Sequence, residues 1–432
     1  MIKIDKSVLL LLFVRAISSL GTLVFTIVVT KYYGLNDIGN FAIAFGFLSL
    51  ISLITRFGAD SLIVKKVSIL VESGDKEGFW KFKRKLYFYY CLLVLCFLLI
   101  ANYLLPLIES YYSQGVINIL NSFLFMLLPF GLLSYLCSSF KAISVPWAYP
   151  FFEFGFVSFL ISIVMVIINI LGYRLEFINY IHLFSVLVFL LVIFGEIYLN
   201  GRVKVKFQNS ENKGVIITED SYFEGVGDFL LLNLMAYLIT SGFPIIIGAY
   251  LDAKEVGVFA LCVKISLIAN FVLVIINSIF APRFSVSYHN GLTEELNYHV
   301  KKSGFLLCLI CIPVLVFITI FSKELFSALN VPESAYIYIY ILLLAQLVNI
   351  VTGSVIILLN MIGLHKANRN ITVLLSVFSL IAINIVLPLY GLGGAIVVLA
   401  SYWIMKNILS SLYLYTTTGI NIFSYLKYNK KL

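Results

Sequence analysis

Charge is scarce in this sequence. Asp and Glu together number 21 in 432 residues, His numbers 4, and charged residues make up 12% of the chain. A soluble domain carries about 25%. The histidines, His182, His289, His299 and His365, do not cluster, and no H-E-x-x-H, phosphate-binding loop or G-x-S-x-G pattern stands in a loop. The usual signatures of metal-assisted, nucleotide and serine hydrolysis are therefore missing, and direct drive by ATP is not expected. Cysteine supplies no framework. Cys91, Cys96, Cys137, Cys262, Cys308 and Cys311 lie in or beside apolar runs, and the Cys308–Cys311 pair has no second ligand pair. They read as small packing residues. The expectation is a chain with no catalytic residue, no metal and no cofactor, which is not an enzyme.

What is abundant is apolar surface. The chain is 61% apolar with a mean hydropathy of +1.04, against roughly 45–50% apolar in soluble domains. Twelve segments have the roughly 20 residues needed to cross about 30 Å of hydrocarbon. They lie at about 8–30, 36–56, 86–108, 116–140, 147–171, 178–200, 226–250, 255–281, 304–326, 335–359, 368–390 and 392–414. The first run is too long for a signal-peptide core and lacks a small-residue exit, so it reads as a retained helix.

The 30 Lys and Arg residues set the direction. With the first residues placed in the cytoplasm, 23 fall in cytoplasmic segments, 4 (Lys31, Arg174, Lys254 and Lys323) fall outside, and Arg15, Lys264 and Lys406 fall within spans. Cytoplasmic loops carry the excess of positive charge, so both termini are expected inside an inner, cytoplasmic membrane. The net charge of +9 then pairs with anionic lipid headgroups rather than with nucleic acid. No outer loop exceeds roughly a dozen residues, which disfavours membrane glycosyltransferases and polymerases, enzymes that need an extracytoplasmic reaction chamber.

The sequence carries an internal echo. LNDIGNFAI (35–43) aligns with AKEVGVFAL (253–261) at an offset of 218, so that Asp37 meets Glu255, Gly39 meets Gly257, Phe41 meets Phe259 and Ala42 meets Ala260. Each copy opens the second span of a six-span set. The sets divide at the polar stretch 201–225, giving an N-terminal bundle (1–200), a cytoplasmic linker (201–225) and a C-terminal bundle (226–432). Six spans is an even number, so both halves enter the membrane the same way, as parallel repeats. The fold class expected is all-α integral membrane, twelve transmembrane helices in two six-helix bundles. Segment 57–85, with SLIVKKVSIL and FWKFKRKL, reads as amphipathic helix on the cytoplasmic face.

Polar residues line particular faces. On the first span Arg15, Ser18, Ser19, Thr22, Thr26 and Thr30 fall within about 60° of one direction. Arg15 is about 10 Å in from the cytoplasmic boundary. Two readings are open for it: it snorkels to the interface, or it faces an internal lumen. The hydroxyl stripe favours the lumen. The same offset of 218 carries the stripe to Asn233, Tyr237, Thr240 and Pro244 on the seventh span. Lys264 lies about 12 Å deep on the eighth span. Gln346, Asn349, Gly353 and Asn360 share a face of the tenth. Lys406 is read as snorkelling, and Glu153, Glu196 and Asp228 as interface or packing residues. The deep charges that remain, Arg15 and Lys264, are positive and suit an anionic substrate. Ser19, Thr22, Thr26, Asn233, Tyr237, Thr240, Gln346 and Asn349 are expected to line the lumen.

KYYGLNDIGNFAIAFGFLSL (31–50), RFGADSLIVKK (56–66), DAKEVGVFALCVKIS (252–266), INSIFAPRFS (276–285) and PLYGLGGAIVV (388–398), with the span pattern, resemble the polysaccharide-exporter branch of the multidrug/oligosaccharidyl-lipid/polysaccharide flippase superfamily. Within it the chain most resembles the Wzx-type O-antigen flippases. The resemblance implies a V-shaped pair of six-helix bundles that moves an undecaprenyl-pyrophosphate-linked oligosaccharide repeat unit to the outer leaflet by alternating access. It also implies that Arg15 and Lys264 hold the pyrophosphate. Membrane lipids, a polymerase and a chain-length regulator of the same pathway are the implied partners. The alternatives are a multidrug exporter of the same fold, which wants an acidic lumen, and a membrane glycosyltransferase or polymerase.

Overall fold

A computed structural model describes residues 6–145, 147–173, 175–208 and 226–423. The described residues are helical, with no strand. They group into two compact units.

The first unit runs through Tyr237 and takes in Asp252–Gly257. Its helices are α1 (Lys6–Tyr33), α2 (Leu35–Thr55), α3 (Asp60–Glu72), α4 (Lys76–Glu109), α5 (Gln114–Ala142), α6 (Ala148–Phe151), α7 (Phe154–Ile170), α8 (Phe177–Gln208) and most of α9 (Val226–Thr240). The start of α11 (Ala253–Ser266) also belongs to it. α5 is the hub, packing against α2, α3, α4, α6 and α8. Its apolar residues are buried nearly all round, from Val116 to Phe140, which suits a helix enclosed by others rather than by lipid.

Small residues set the closest crossings. A Cβ at Gly21 of α1 would stand 2.0 Å from the Gly155 carbonyl oxygen, and one at Gly155 of α7 would stand 1.9 Å from that of Ser18. Each helix thus lays its backbone on the other's, as small residues permit in membrane helices. The repeated motif does the same. A Cβ at Gly39 would meet the Ala253 carbonyl oxygen at 1.7 Å, and one at Gly257 would meet that of Leu35 at 2.0 Å. Leu35 and Ala253, like Gly39 and Gly257, are equivalent under the offset of 218. The contact is therefore reciprocal: each copy presents its glycine to the same carbonyl of the other.

The second unit holds Leu238–Leu251 and the chain from Val258 onward. It contains α10 (Phe243–Gly248), the rest of α11, α12 (Ile268–His289), α13 (Thr293–Ala328), α14 (Ala335–Val351), α15 (Val355–Met361) and α16 (His365–Thr418). α12 packs on α13 and α15, and α16 on α10, α14 and α15.

Among the described residues, eight helices are long and apolar enough to cross a membrane, and α14 and α15, bent by 42° at a short break, are so only when taken together. The twelve expected segments all fall on helix. The fifth is split into α6 and α7, the seventh into α9 and α10, the eighth into α11 and α12, and the tenth into α14 and α15. The eleventh and twelfth are the two parts of α16, which turns at Gly391 with φ 56° and ψ −147°. That backbone conformation is open to glycine and strained for other residues.

Two expectations are modified. The amphipathic segment 57–85 is not one surface helix. α3 buries Leu62, Ile63, Val67 and Leu70, while Lys76–Lys85 continues into the third span as the first turns of α4, capped where Asp75 accepts from the Gly78 N–H at 2.8 Å. Phe79 and Phe82 are buried there, so the same amphipathic pattern is used as a helix extension packed on its neighbours. Of the linker 201–225, residues up to Gln208 belong to α8 and the remainder lies outside the described residues.

Candidate functional site

Arg15 is not a bare cation. Its Nη1 donates to both carboxylate oxygens of Glu153, at 2.8 and 2.6 Å. Ser18 of the same α1 face donates to Glu153 Oε2 at 3.2 Å. Glu153 stands in the break between α6 and α7, in extended conformation, and the tight α1–α7 crossing at Gly21 and Gly155 brings it beside Arg15. The guanidinium carbon lies 5.6 Å from the Tyr149 ring centre, and Lys141 Nζ lies 4.7 Å from the same ring. Glu153 therefore does more than the interface or packing role expected for it: it is the counter-ion of Arg15. The carboxylate partner offsets the cost of a partly buried guanidinium, a pairing that neither reading of Arg15 foresaw.

A second pair of the same design stands nearby in the first unit. Arg56 closes α2 and donates Nη1 to both oxygens of Asp60, each at 2.7 Å, while its Nε donates to Ser52 O and Oγ. Asp60 and Glu153 both line one cavity of about 230 Å³, together with Lys141, Ser134, Ser138 and Phe152.

The other expected site residues sort by environment. Ser19 and Thr22 are half-buried. Thr26 is buried and donates to the Thr22 carbonyl at 2.9 Å, as Thr30 does to that of Thr26 at 2.7 Å. The stripe is thus partly a packing face whose hydroxyls are satisfied by their own helix, and Thr26 does not open onto a lumen. On α9, Asn233 donates to the Gly58 carbonyl at 3.3 Å and the Tyr237 hydroxyl to that of Gly46, all within the first unit. Thr240 is exposed. The bend expected at Pro244 occurs just before it, where α9 ends and α10 begins with this proline in its first turn.

In the second unit Lys264 is half-buried in the last turn of α11. Among the described residues it has no ion pair or hydrogen bond. Gln346 is 2% exposed and does not face open space. Asn349 donates to both Gln346 Oε1 and Asn270 Oδ1, at 3.2 Å each, so these amides tie α14 to α12. Burial in a bundle demands such pairing, which the one-face pattern on the tenth span does not distinguish from a lumen lining.

Sequence reasoning assigned no site role to Glu153, Arg56, Asp60, Lys141 or Asn270. Depth carried a usable signal for the first. Arg15 lies seven residues into span 1 and Glu153 six into span 5 from the same side, about 10 Å each. For Arg56 and Asp60 the signal was their i,i+4 spacing.

The comparisons agree with this architecture. The sequence profile of the family described as "Polysaccharide biosynthesis protein" matches residues 33–330. A search among curated proteins returns no match. Among solved structures the chain is similar to lipid II flippase MurJ in an inward closed conformation, with a TM-score of 0.67 and 15% identity, over 97% of this chain and 89% of that one. It is similar to an inward-facing multidrug resistance MATE family transporter of the MOP superfamily, with a TM-score of 0.66 and 14% identity, over 98% and 99%. It is also similar to the MATE multidrug transporter DinF-BH, with a TM-score of 0.63 and 14% identity, over 98% and 97%. At these identities the likenesses concern the fold. With its profile matched over more than half its length and its spans laid out in the fold of that superfamily, the chain belongs to the polysaccharide biosynthesis protein family.

Proposed function

We propose that this protein is a flippase for lipid-linked oligosaccharides, moving undecaprenyl-pyrophosphate-linked repeat units of an O-antigen or related surface polysaccharide across the inner membrane by alternating access. The observation that carries the reading is the surplus of cations on membrane-length helices. Lys264 has no counter-ion among the described residues, and Lys141 lies beside carboxylates already held by arginines. A surplus of this sign suits a pyrophosphate, and family membership supplies the glycan. The protein acts as a transporter and not as an enzyme. Its basic loops face the cytoplasm, both termini with them, and the polymerase and chain-length regulator of the pathway act on the delivered unit.

The test is complementation of a strain lacking its own flippase. Lys264→Ala and Arg15→Ala abolish surface glycan at normal expression, and Lys264→Arg retains it. Normal glycan in both alanine strains would refute the assignment. Multidrug export is the second reading, favoured by the likeness to MATE transporters; drug resistance on overexpression, with no effect on glycan, would establish it.

A further inference from the structure

The cavity shared by Asp60 and Glu153 has a composition that selects its ligand. Its walls come from the first unit alone. Both carboxylates are ion-paired in the same manner, each gripped by one nitrogen, Nη1, of one arginine. A carboxylate offers about four acceptor positions. The arginine takes two, and a serine hydroxyl takes one more on each: Ser18 on Glu153 at 3.2 Å, and Ser138 on Asp60 at 3.5 Å. Acceptor capacity remains at both carboxylates, which stand about one-third exposed.

Charge narrows the choice. Asp60 and Glu153 are balanced by Arg56 and Arg15. Lys141 is exposed, and among the described residues it has no ion pair. The local surplus is a single positive charge. A metal cation meets two carboxylates already neutralised, and among the described residues no group of three or more His, Cys, Asp or Glu stands together. A bare phosphate suits Lys141 but leaves the carboxylates facing an anion. A ligand that donates several hydroxyls and carries one anionic group satisfies every wall. Size adds a limit: about 230 Å³ lies below the roughly 300–1,000 Å³ of sites for drug-sized ligands, so one ring fits. Phe154, half-buried at the cavity wall, supplies an apolar surface against which a sugar ring packs.

We propose that this cavity is a glycosyl-phosphate site: Asp60 and Glu153 accept the hydroxyls of one monosaccharide, and Lys141 meets the phosphate attached to it. Arg15 and Arg56 are then positioning residues that aim the carboxylates. The inference rests on the flippase reading and deepens it, by placing the sugar next to the pyrophosphate in the first unit.

Binding to the purified full chain tests it. The probes are farnesyl diphosphate, and farnesyl diphosphate carrying glucose, galactose or N-acetylglucosamine; the same sugar 1-phosphates without lipid distinguish a soluble source from a lipid-linked one. The wild type binds the best sugar-bearing probe about tenfold more tightly than farnesyl diphosphate, roughly the worth of one hydrogen bond to a charged group. Ser134→Leu, which fills the cavity without altering charge, reduces that preference to about twofold or less. Lys141→Gln, an exposed position, weakens all phosphate-bearing probes by about fivefold. Equal affinity of the wild type for sugar-bearing and sugarless lipids would overturn the site while sparing the flippase reading. So would a preference that survives Ser134→Leu, or, where that variant does not fold, binding indifferent to Lys141→Gln. Failure of every farnesyl probe to bind would overturn the flippase reading itself.

Discussion

Arg15 and Glu153 illustrate how a charge is kept within an apolar helix. Their side chains are 24% and 30% exposed, so the pair is neither solvent-screened like a surface bridge nor sealed in a core. Removing one partner strands the other, and the loss of stability is expected at about 1–2 kcal/mol, between the surface and buried limits. Removing both is milder. Arg15→Ala, Glu153→Ala and the double variant, compared by denaturation in detergent, should therefore show a double loss smaller than the sum of the single losses by at least about 1 kcal/mol. Zero coupling would mean that the pair contributes nothing to the first unit. The same scale distinguishes Lys264. With no ion pair to lose, Lys264→Ala is expected to cost less stability than Arg15→Ala while abolishing complementation.

Among the elements, two kinds of glycine have separable costs. At Gly39 the obstacle is another backbone. A side chain there would collide with the Ala253 carbonyl oxygen, and backbone cannot swing aside. Gly39→Val is expected to destabilise by about 1–3 kcal/mol, the usual penalty of overpacking, measured as a lower melting temperature. Gly21→Ala and Gly155→Ala act on one crossing, so their effects should fall short of additivity. Gly391 is the opposite case. Nothing lies within 4 Å of a Cβ built there, yet its φ of 56° and ψ of −147° are strained for any side chain. Gly391→Ala is expected to cost about 1–3 kcal/mol through backbone strain alone. Equal stability of wild type and Gly391→Ala would show that the turn within α16 tolerates another conformation.

For the whole molecule, the distribution of 23 basic residues against 4 predicts orientation. In a cysteine-free background, Asn290→Cys, in the turn after α12, should react with an impermeant maleimide only from the cytoplasmic side. Asn330→Cys, in the turn after α13, should react only from outside. The opposite pattern would invert the proposed direction of transport. The likeness to MurJ and to MATE transporters extends over at least 97% of the chain, and a shared fold of this kind does not select the cargo. The chemistry of particular side chains does, which is why the discriminating experiments fall on Lys264, Lys141 and the Asp60–Glu153 cavity.

Hydropathy and loop charge determined the all-helical membrane fold, the positions of twelve segments and their expected direction. A bilayer leaves the backbone no other way to satisfy its hydrogen bonds, so those readings needed no tertiary information. The echo between Gly39 and Gly257 was also legible, because a close backbone crossing tolerates little but glycine. What the sequence did not decide was the partner of each polar group. Thr26 and Gln346 have the spacing of a lumen lining but are buried and bonded within helix packing. Glu153, a residue expected at an interface or in packing, holds Arg15 across 138 positions of chain. Periodicity reports which face of a helix is polar. Only packing decides whether that face meets a ligand, its own backbone or a counter-charge on another helix.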